Sequence, residues 1–325
     1  MLAVVCVRAG GPEVLEIREL PVPEVRAGWT LVRVMGAGLN RAEIRTRQGF
    51  SPNVRFPRVL GIECVGVVAA TSDPALAEGA TVAALMGEMG RAFDGSYAEF
   101  VLLPNELLMP VVTRLPWVEL AALPETYLTA QGALDALGIR AGERLLIRGG
   151  TSSVGLAAAS IARGGGIEVA ATTRRAGKGS AMEAAGVAHV VLDEGGPLRL
   201  PWDDGPTHVL DLVGARTVAD SLRIVRRGGT VCVAGSLSGW LLRDFEPIAM
   251  IPSGTRLTAF HSDDAKGRAG AGVLQRVVDG VENGRYRPNI DSVVALDGLA
   301  AAHRHMEADR AAGKVVLLPG LVSGA

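Results

Sequence analysis

The chain of 325 residues lacks an excess of charge of either sign: 33 basic against 34 acidic side chains leave a formal charge of −1. No bulk field recruits nucleic acid or an anionic membrane surface, so neither is expected as a partner, and small neutral molecules are favoured. Cysteine is scarce. Cys6, Cys64 and Cys232 are odd in number, far apart and set within apolar runs ("AVVCVRA", "IECVGVV", "TVCVAG"), which reads as reduced core thiols of a cytoplasmic protein. The opening run "MLAVVCVRAGG" is too short to span a bilayer and lacks the basic start and cleavage site of a signal peptide, so no targeting segment is expected. Repeats and low-complexity segments are missing too, apart from an alanine bias that helix propensity accounts for. What is present is apolar material: 48% hydrophobic residues over this length suffice for about two domains, each with its own core.

The first hundred or so residues are short strand-like runs broken by Gly and Pro: "TLVRVMGAG", "ECVGVVAA", "ATVAALM", "GSYAEFVLLP". That spacing predicts a β-rich, barrel-like domain. Between Leu115 and Gly138 the period becomes helical, with Pro116 and Pro124 marking helix starts. From Glu143 to about Phe260, apolar strand runs ("RLLIRG", "EVAATT", "HVVLD", "HVLDLV", "TVCVAG") alternate with alanine-rich helices, the pattern of a parallel sheet built from βαβ units. The remainder predicts two helices and a closing strand, "KVVLLPG", returning to the first domain.

The run "LLIRGGTSSVGLAAASIARGGGIEVAATTRR" has strand, turn, helix and second strand in the order of a dinucleotide-binding unit. In such a turn glycines permit close approach and the helix amides hold a pyrophosphate. Laid on G-x-G-x-x-G, the residues are Gly150, Thr151, Ser152, Ser153, Val154 and Gly155, so a serine stands at the middle glycine. Serine hydroxyls can cap the helix and donate hydrogen bonds; the bland alternative is an ordinary turn of an α/β domain. At the end of the second strand an acid would hold the ribose 2′-OH of NAD, whereas Thr172, Thr173, Arg174, Arg175 and Lys178, with no acid until Glu183, suit the 2′-phosphate of NADPH. A solvated basic loop is the alternative.

The order of segments resembles the medium-chain dehydrogenase/reductase superfamily, and within it the zinc-independent quinone oxidoreductase branch that includes zeta-crystallin. The resemblance spans nearly the whole chain and rests on "GAGLNRAEIRTRQG", "FPRVLGIECVGVV", "FDGSYAEFVLLP", "AALPETYLTAQGAL", "GGTSSVGLAA", "DLVGARTVADSLRIVRRGGTVCVAG" and "RAAGKVVLLP". It implies an α/β fold with a GroES-like β-rich catalytic domain (1–118 and 261–325), a Rossmann NADPH-binding domain (119–260), a cleft between them and a homodimer. Metal ligands of the zinc-dependent relatives fall at Asn40, Ile62 with Glu63, and Pro124, so no metal is expected. The five histidines, among them His303 and His305 on one predicted helix, read as surface residues.

The resemblance carries catalytic roles to Asn40 and Thr129 and a pyrophosphate site to Thr151–Gly155. It also carries a 2′-phosphate site to Thr173, Arg174 and Lys178, nicotinamide contacts to Gly235, Ser236 and Leu237, and a position beside the cofactor to Lys314. The chain departs from the pattern at Arg45 and Asp193, where relatives commonly have tyrosines; Arg45 is expected either to clamp a substrate or to pair with Glu43 or another acid. Tyr97, Tyr127 and His261 are the candidate proton donors. The function this implies is NADPH-dependent reduction of a quinone or α,β-unsaturated carbonyl; an enoyl-thioester reductase and an NADPH-binding protein without turnover are the alternatives.

Overall fold

A computed structural model describes residues 1–52, 54–239 and 241–321. The chain divides into two compact units, Met1–Glu125 with Asp263–Glu282 and Ile290–Ala325, and Thr126–Ser262 with Asn283–Asn289. Residues 283–289, expected with the catalytic domain, group with the parallel-sheet unit.

The first unit is a β-domain of two sheets. Leu2–Cys6 pairs antiparallel with Leu15–Glu19 on one side and Arg58–Val59 on the other. The larger sheet runs in the order Ile290–Val294, Lys314–Leu317, Trp29–Gly38, Glu63–Thr71, Thr81–Leu85, Met109–Pro110, with Phe100–Pro104 also on Trp29–Gly38. The β-branched run Thr30–Val34 and the alternating Glu63–Val68 form its longest pair, and their register slips between Val34 and Gly36. Gly66 sits beside that slip: a Cβ there would stand 2.1 Å from the Arg33 carbonyl oxygen. The two sheets share a core of Val4, Tyr97, Leu60, Val82 and Leu103, which the helix Leu299–Glu307 closes with Leu299, Ala302 and Met306.

Two histidines are not on the surface. His303 is fully buried, its Nε2 3.2 Å from the Tyr97 hydroxyl and its ring edge-on to Tyr97. Burial, with the nearby Arg47 charge, pushes its imidazole down to about 3. His208 is buried at the start of its strand with Nδ1 2.8 Å from Thr207 Oγ1. Both read as surface residues in the sequence, but each finds its partner across the fold or on the preceding residue. The three cysteines are free and buried, as expected.

The second unit is a six-stranded parallel sheet in the order His189–Leu192, Glu168–Thr173, Arg144–Arg148, His208–Asp211, Thr230–Val233, Arg256–Ala259. Helices Ser153–Gly164 and Gly179–Ala184 connect its first, second and third strands in chain order, and Val218–Ile224 connects the fourth and fifth. The strand order reverses between Arg144–Arg148 and His208–Asp211, the switch point where such sheets bind ligands at their carboxyl ends. Among the described residues no helix is long and apolar enough to cross a membrane.

Gly66→Ala is expected to destabilise the first unit by roughly 2 kcal/mol, because the clash is with backbone and no side chain can yield. A lowered urea midpoint, with the parallel-sheet unit unchanged by limited proteolysis, is the measurement.

Candidate active site

The turn between Arg144–Arg148 and Ser153–Gly164 closes on itself without a middle glycine. Gly149 takes φ +83°, and its amide donates to Thr172 Oγ1 at 3.1 Å while the Gly150 amide donates to the Thr172 carbonyl at 2.9 Å. Ser152 is the N-cap: its Oγ accepts from the Gly155 amide at 3.1 Å and donates to the Gly149 carbonyl at 2.8 Å. Its hydroxyl proton is used inside the turn and not offered outward. The two remaining glycines are required by contact, since a Cβ on Gly150 would lie 2.6 Å from Ala171 Cβ and one on Gly155 2.7 Å from the Gly149 oxygen. First-turn amides at Ser153 and Val154 have no intrahelical acceptor and face the positive end of the helix dipole, which suits a pyrophosphate.

At the neighbouring strand end Thr173 Oγ1 accepts from the Arg175 amide at 3.1 Å, turning the chain so that Arg174 and Arg175 are exposed and Lys178 half-buried. Across the switch point, buried Asp211 organises the next turn: Oδ1 accepts from the amides of Val213 and Gly214 and from Thr217 Oγ1, and Oδ2 from Ser221 Oγ. Gly235 presses against that turn, where a Cβ would meet the Leu212 oxygen at 2.4 Å; Ser236 is half-buried beside it and Leu237 is exposed.

In the first unit a second polar cluster is buried. Lys314 Nζ donates to Glu63 Oε1 at 2.5 Å and to Asn40 Oδ1 at 2.6 Å; Asn40 Nδ2 donates to Glu63 Oε1 at 2.9 Å, and Glu63 Oε2 accepts from the Glu125 amide at 2.9 Å. Lys314 and Glu63 are 1% and 0% exposed, so each is the other's counter-charge in a site closed to water. Room for them comes from Gly38, where a Cβ would lie 2.1 Å from Lys314 Cε and 2.4 Å from Glu63 Oε1. Glu43, on the helix Arg41–Arg47, accepts from the amides of Asn40 at 3.0 Å and Ile62 at 3.2 Å. Burial pushes its carboxyl up to about 7, against the pull of the Lys314 charge.

Lys314 ends on Glu63 and Asn40. Other placements revise expectations. Glu43, offered as a surface partner for Arg45, is buried against backbone amides. The buried Tyr97 hydroxyl faces His303, and the Tyr127 hydroxyl donates to the Arg287 carbonyl; burial holds both above their ordinary pKa. Thr129 is buried on the helix Pro124–Leu137. Asn40 and Lys314 belong to the first unit, whereas Thr129 and the residues of the dinucleotide turn belong to the second. Glu43 and Arg148 escaped the sequence reading; a Glu three residues after a capping Asn was the available signal for the first.

Residues 26–113 match the family model for the alcohol dehydrogenase GroES-like domain and residues 185–317 that for zinc-binding dehydrogenase. A solved structure described as an NAD-dependent alcohol dehydrogenase is 31% identical with TM-score 0.86, covering 98% of this chain and all of that one. A mycobacterial protein, Rv1454c, solved with NADPH, is 26% identical with TM-score 0.86 over 98% of this chain and all of its own. The chain therefore belongs to the medium-chain dehydrogenase/reductase superfamily and is an oxidoreductase fitted to a nicotinamide dinucleotide.

Within the superfamily it falls in the quinone oxidoreductase-like branch. Human quinone oxidoreductase is 28% identical over 330 residues, 98% of either chain. A spectinabilin polyketide synthase system protein, NorB, of Streptomyces orinoci is 32% identical over 320 residues, and the chain spans 14% of that protein's length. The residues present do not fit the zinc that one family description names. Asn40, Ile62 and Pro124 supply neither thiolate nor imidazole, Glu63 is occupied by an ammonium, and no three His, Cys, Asp or Glu come together among the described residues.

Lys314→Met is expected to cost about 3–5 kcal/mol, because Glu63 is left buried without its counter-charge. Adding Glu63→Gln should recover part of that loss, and urea unfolding of the single and double variants checks it. The Glu43 carboxyl binds its proton more tightly in the folded chain than in the unfolded one. Its contribution is thus full below its ordinary value of 4.5 and is lost as pH rises through about 7. Relative to wild type, Glu43→Gln should therefore gain stability between about pH 5 and about pH 8, by up to about 3 kcal/mol. Taking the difference between the two proteins at each pH removes the opposing contribution of His303.

Proposed function

We propose that the chain is a zinc-independent, NADPH-dependent reductase of quinones or α,β-unsaturated carbonyl compounds. The observation that carries the cofactor choice is the end of the strand Glu168–Thr173, where hydroxyls and cations follow and no acid comes before Glu183. Bound NADPH supplies a hydride to the electron-poor acceptor, and a proton from outside the cofactor completes the reduction. The amides of Ser153 and Val154 hold the pyrophosphate, Thr173, Arg174 and Lys178 the 2′-phosphate, and Gly235 to Leu237 the nicotinamide end.

Asn40 and Thr129 are the residues we assign to the reacting groups. Lysine is a donor only, so the Asn40 carboxamide is oriented with Oδ1 toward Lys314 and both Nδ2 protons toward Glu63 and its surroundings. Oδ1 is an acceptor only and cannot donate to a carbonyl, so Asn40 positions and does not protonate; solvent supplies the proton. The likeness to a segment of a polyketide synthase system protein favours an enoyl thioester as the second candidate acceptor. The reading includes a homodimer, as the family resemblance implies, and a cytoplasmic location, as the reduced core thiols imply.

The test is NADPH oxidation, followed by absorbance, against naphthoquinones, benzoquinones, short enones and a crotonyl thioester, with NADH in parallel and a chelator control. Chelator-resistant turnover preferring NADPH is expected, with Arg174→Ala raising the KM for NADPH about tenfold and leaving that for NADH unchanged. Equal use of NADH would overturn the cofactor reading, and chelator-sensitive turnover the metal-free one. Stoichiometric NADPH binding without turnover on any acceptor would replace the reductase by a binding protein.

A further inference from the structure

One buried charge cluster has no part in the reaction just described. Arg148 ends the strand Arg144–Arg148, directly before Gly149, and is 3% exposed. Its guanidinium donates through Nη1 to Asp220 Oδ2 at 2.7 Å, on the helix Val218–Ile224, and through Nη2 to Asp193 Oδ2 at 3.0 Å, just past the strand His189–Leu192. Among the described residues its Nε has no partner.

The strands that carry Arg148 and precede Asp193 are not neighbours, because Glu168–Thr173 lies between them. Ala171 pairs with Ile147, which sets Arg148 level with Thr172, and Thr173 pairs with Leu192. The guanidinium therefore reaches across the carboxyl end of the middle strand. Asp193 is held there a second time, its amide donating to the Thr173 carbonyl at 2.8 Å. The backbone of an acidic residue is thus hydrogen-bonded to the residue that begins the "TRR" turn, in the neighbourhood where an acid favours a ribose hydroxyl and opposes a ribose phosphate.

We propose that Arg148 is a specificity-determining residue: by pairing with Asp193 it neutralises the carboxylate beside Thr173 and so admits a 2′-phosphorylated dinucleotide at a strand end that would otherwise repel it. The inference rests on the NADPH reading above. Arg148 touches no cofactor; it is a positioning residue that acts through Asp193, and Asp220 holds the other edge of its fork so that the pair keeps its geometry.

The test measures Kd for NADPH and for NADH, by quenching of protein fluorescence, in wild type, Arg148→Met, Asp193→Asn and the double variant. Wild type should bind NADPH more tightly. Arg148→Met exposes the Asp193 charge and should reduce the NADPH-to-NADH preference about tenfold while leaving NADH binding nearly unchanged. Adding Asp193→Asn should restore the preference, which repair of a merely structural defect would not do selectively for the phosphorylated nucleotide. Asp193→Asn alone removes one negative charge from the cluster, leaves Arg148 paired with Asp220 and should raise the preference several-fold; this variant carries the test by itself if Arg148→Met does not fold.

An unchanged ratio in folded Asp193→Asn, or equal weakening of both nucleotides in Arg148→Met without recovery in the double variant, overturns the role of Arg148. Equal affinities in wild type overturn the NADPH reading itself. The two failures are thus read from different proteins.

Discussion

The first unit depends on a charge pair that neither partner could sustain alone. Lys314 and Glu63 are buried together, and the residues that satisfy them come from distant parts of the chain: Asn40 at a helix start, the Glu125 amide, and Gly38, which leaves the space. Such a pair adds little net stability over an apolar replacement, because desolvation offsets much of the Coulomb attraction. What it supplies is uniqueness. Lys314 opens a strand whose register on Gly38 and Ala37 is set two residues later by Val316 and Leu317, and the Leu39 amide continues the pairing onto Val315. A slip of one residue would put an ammonium into the apolar layer.

The parallel sheet solves a different problem, that of presenting donors at its carboxyl end while keeping the turns rigid. The Ser152 hydroxyl ties the Gly149 oxygen to the Gly155 amide, which stiffens the turn from within. Asp211 performs the matching task on the next strand, gathering two amides and two hydroxyls. Both devices consume polar side chains internally and leave backbone amides as the groups turned outward. A dinucleotide held mainly by backbone tolerates a serine at the middle position of the glycine pattern, provided that Gly150 and Gly155, whose contacts forbid a Cβ, remain.

Much of this was legible in the sequence, and what escaped it has a common cause. The strands Trp29–Gly38, Glu63–Thr71, Thr81–Leu85 and the whole strand–turn–helix–strand unit follow from local alternation, β-branched content and glycine placement. The strand Leu15–Glu19, the edge strand Arg256–Ala259 and the parallel strand Ile290–Val294 are short and half-buried or exposed, and packing beyond the local pattern makes them strands. Burial of charge is the larger omission. No local pattern marks Glu43, Arg47, His303 or Lys314 for burial, and each is buried because its partner arrives from elsewhere: Ile62, Glu307, Tyr97 and Glu63 respectively. A window of a dozen residues contains no trace of such a partner.

On the proposed reading, the replacement of metal ligands by Asn40, Ile62 and Pro124, with Glu63 taken up by Lys314, decides what the enzyme can reduce. A Lewis acid polarises a carbonyl by accepting its lone pair, and so makes an ordinary alcohol and its ketone interconvertible. The ammonium of Lys314 is turned into the protein and pinned by a carboxylate, and the one group Asn40 keeps is an acceptor. Neither stabilises negative charge developing on a substrate oxygen. The acceptor must then disperse that charge within its own conjugated system, as a quinone or an enone does. The choice of acceptor class thus follows from the buried ion pair of the first unit, and the choice of nucleotide from a second buried ion pair, Arg148 with Asp193, in the other.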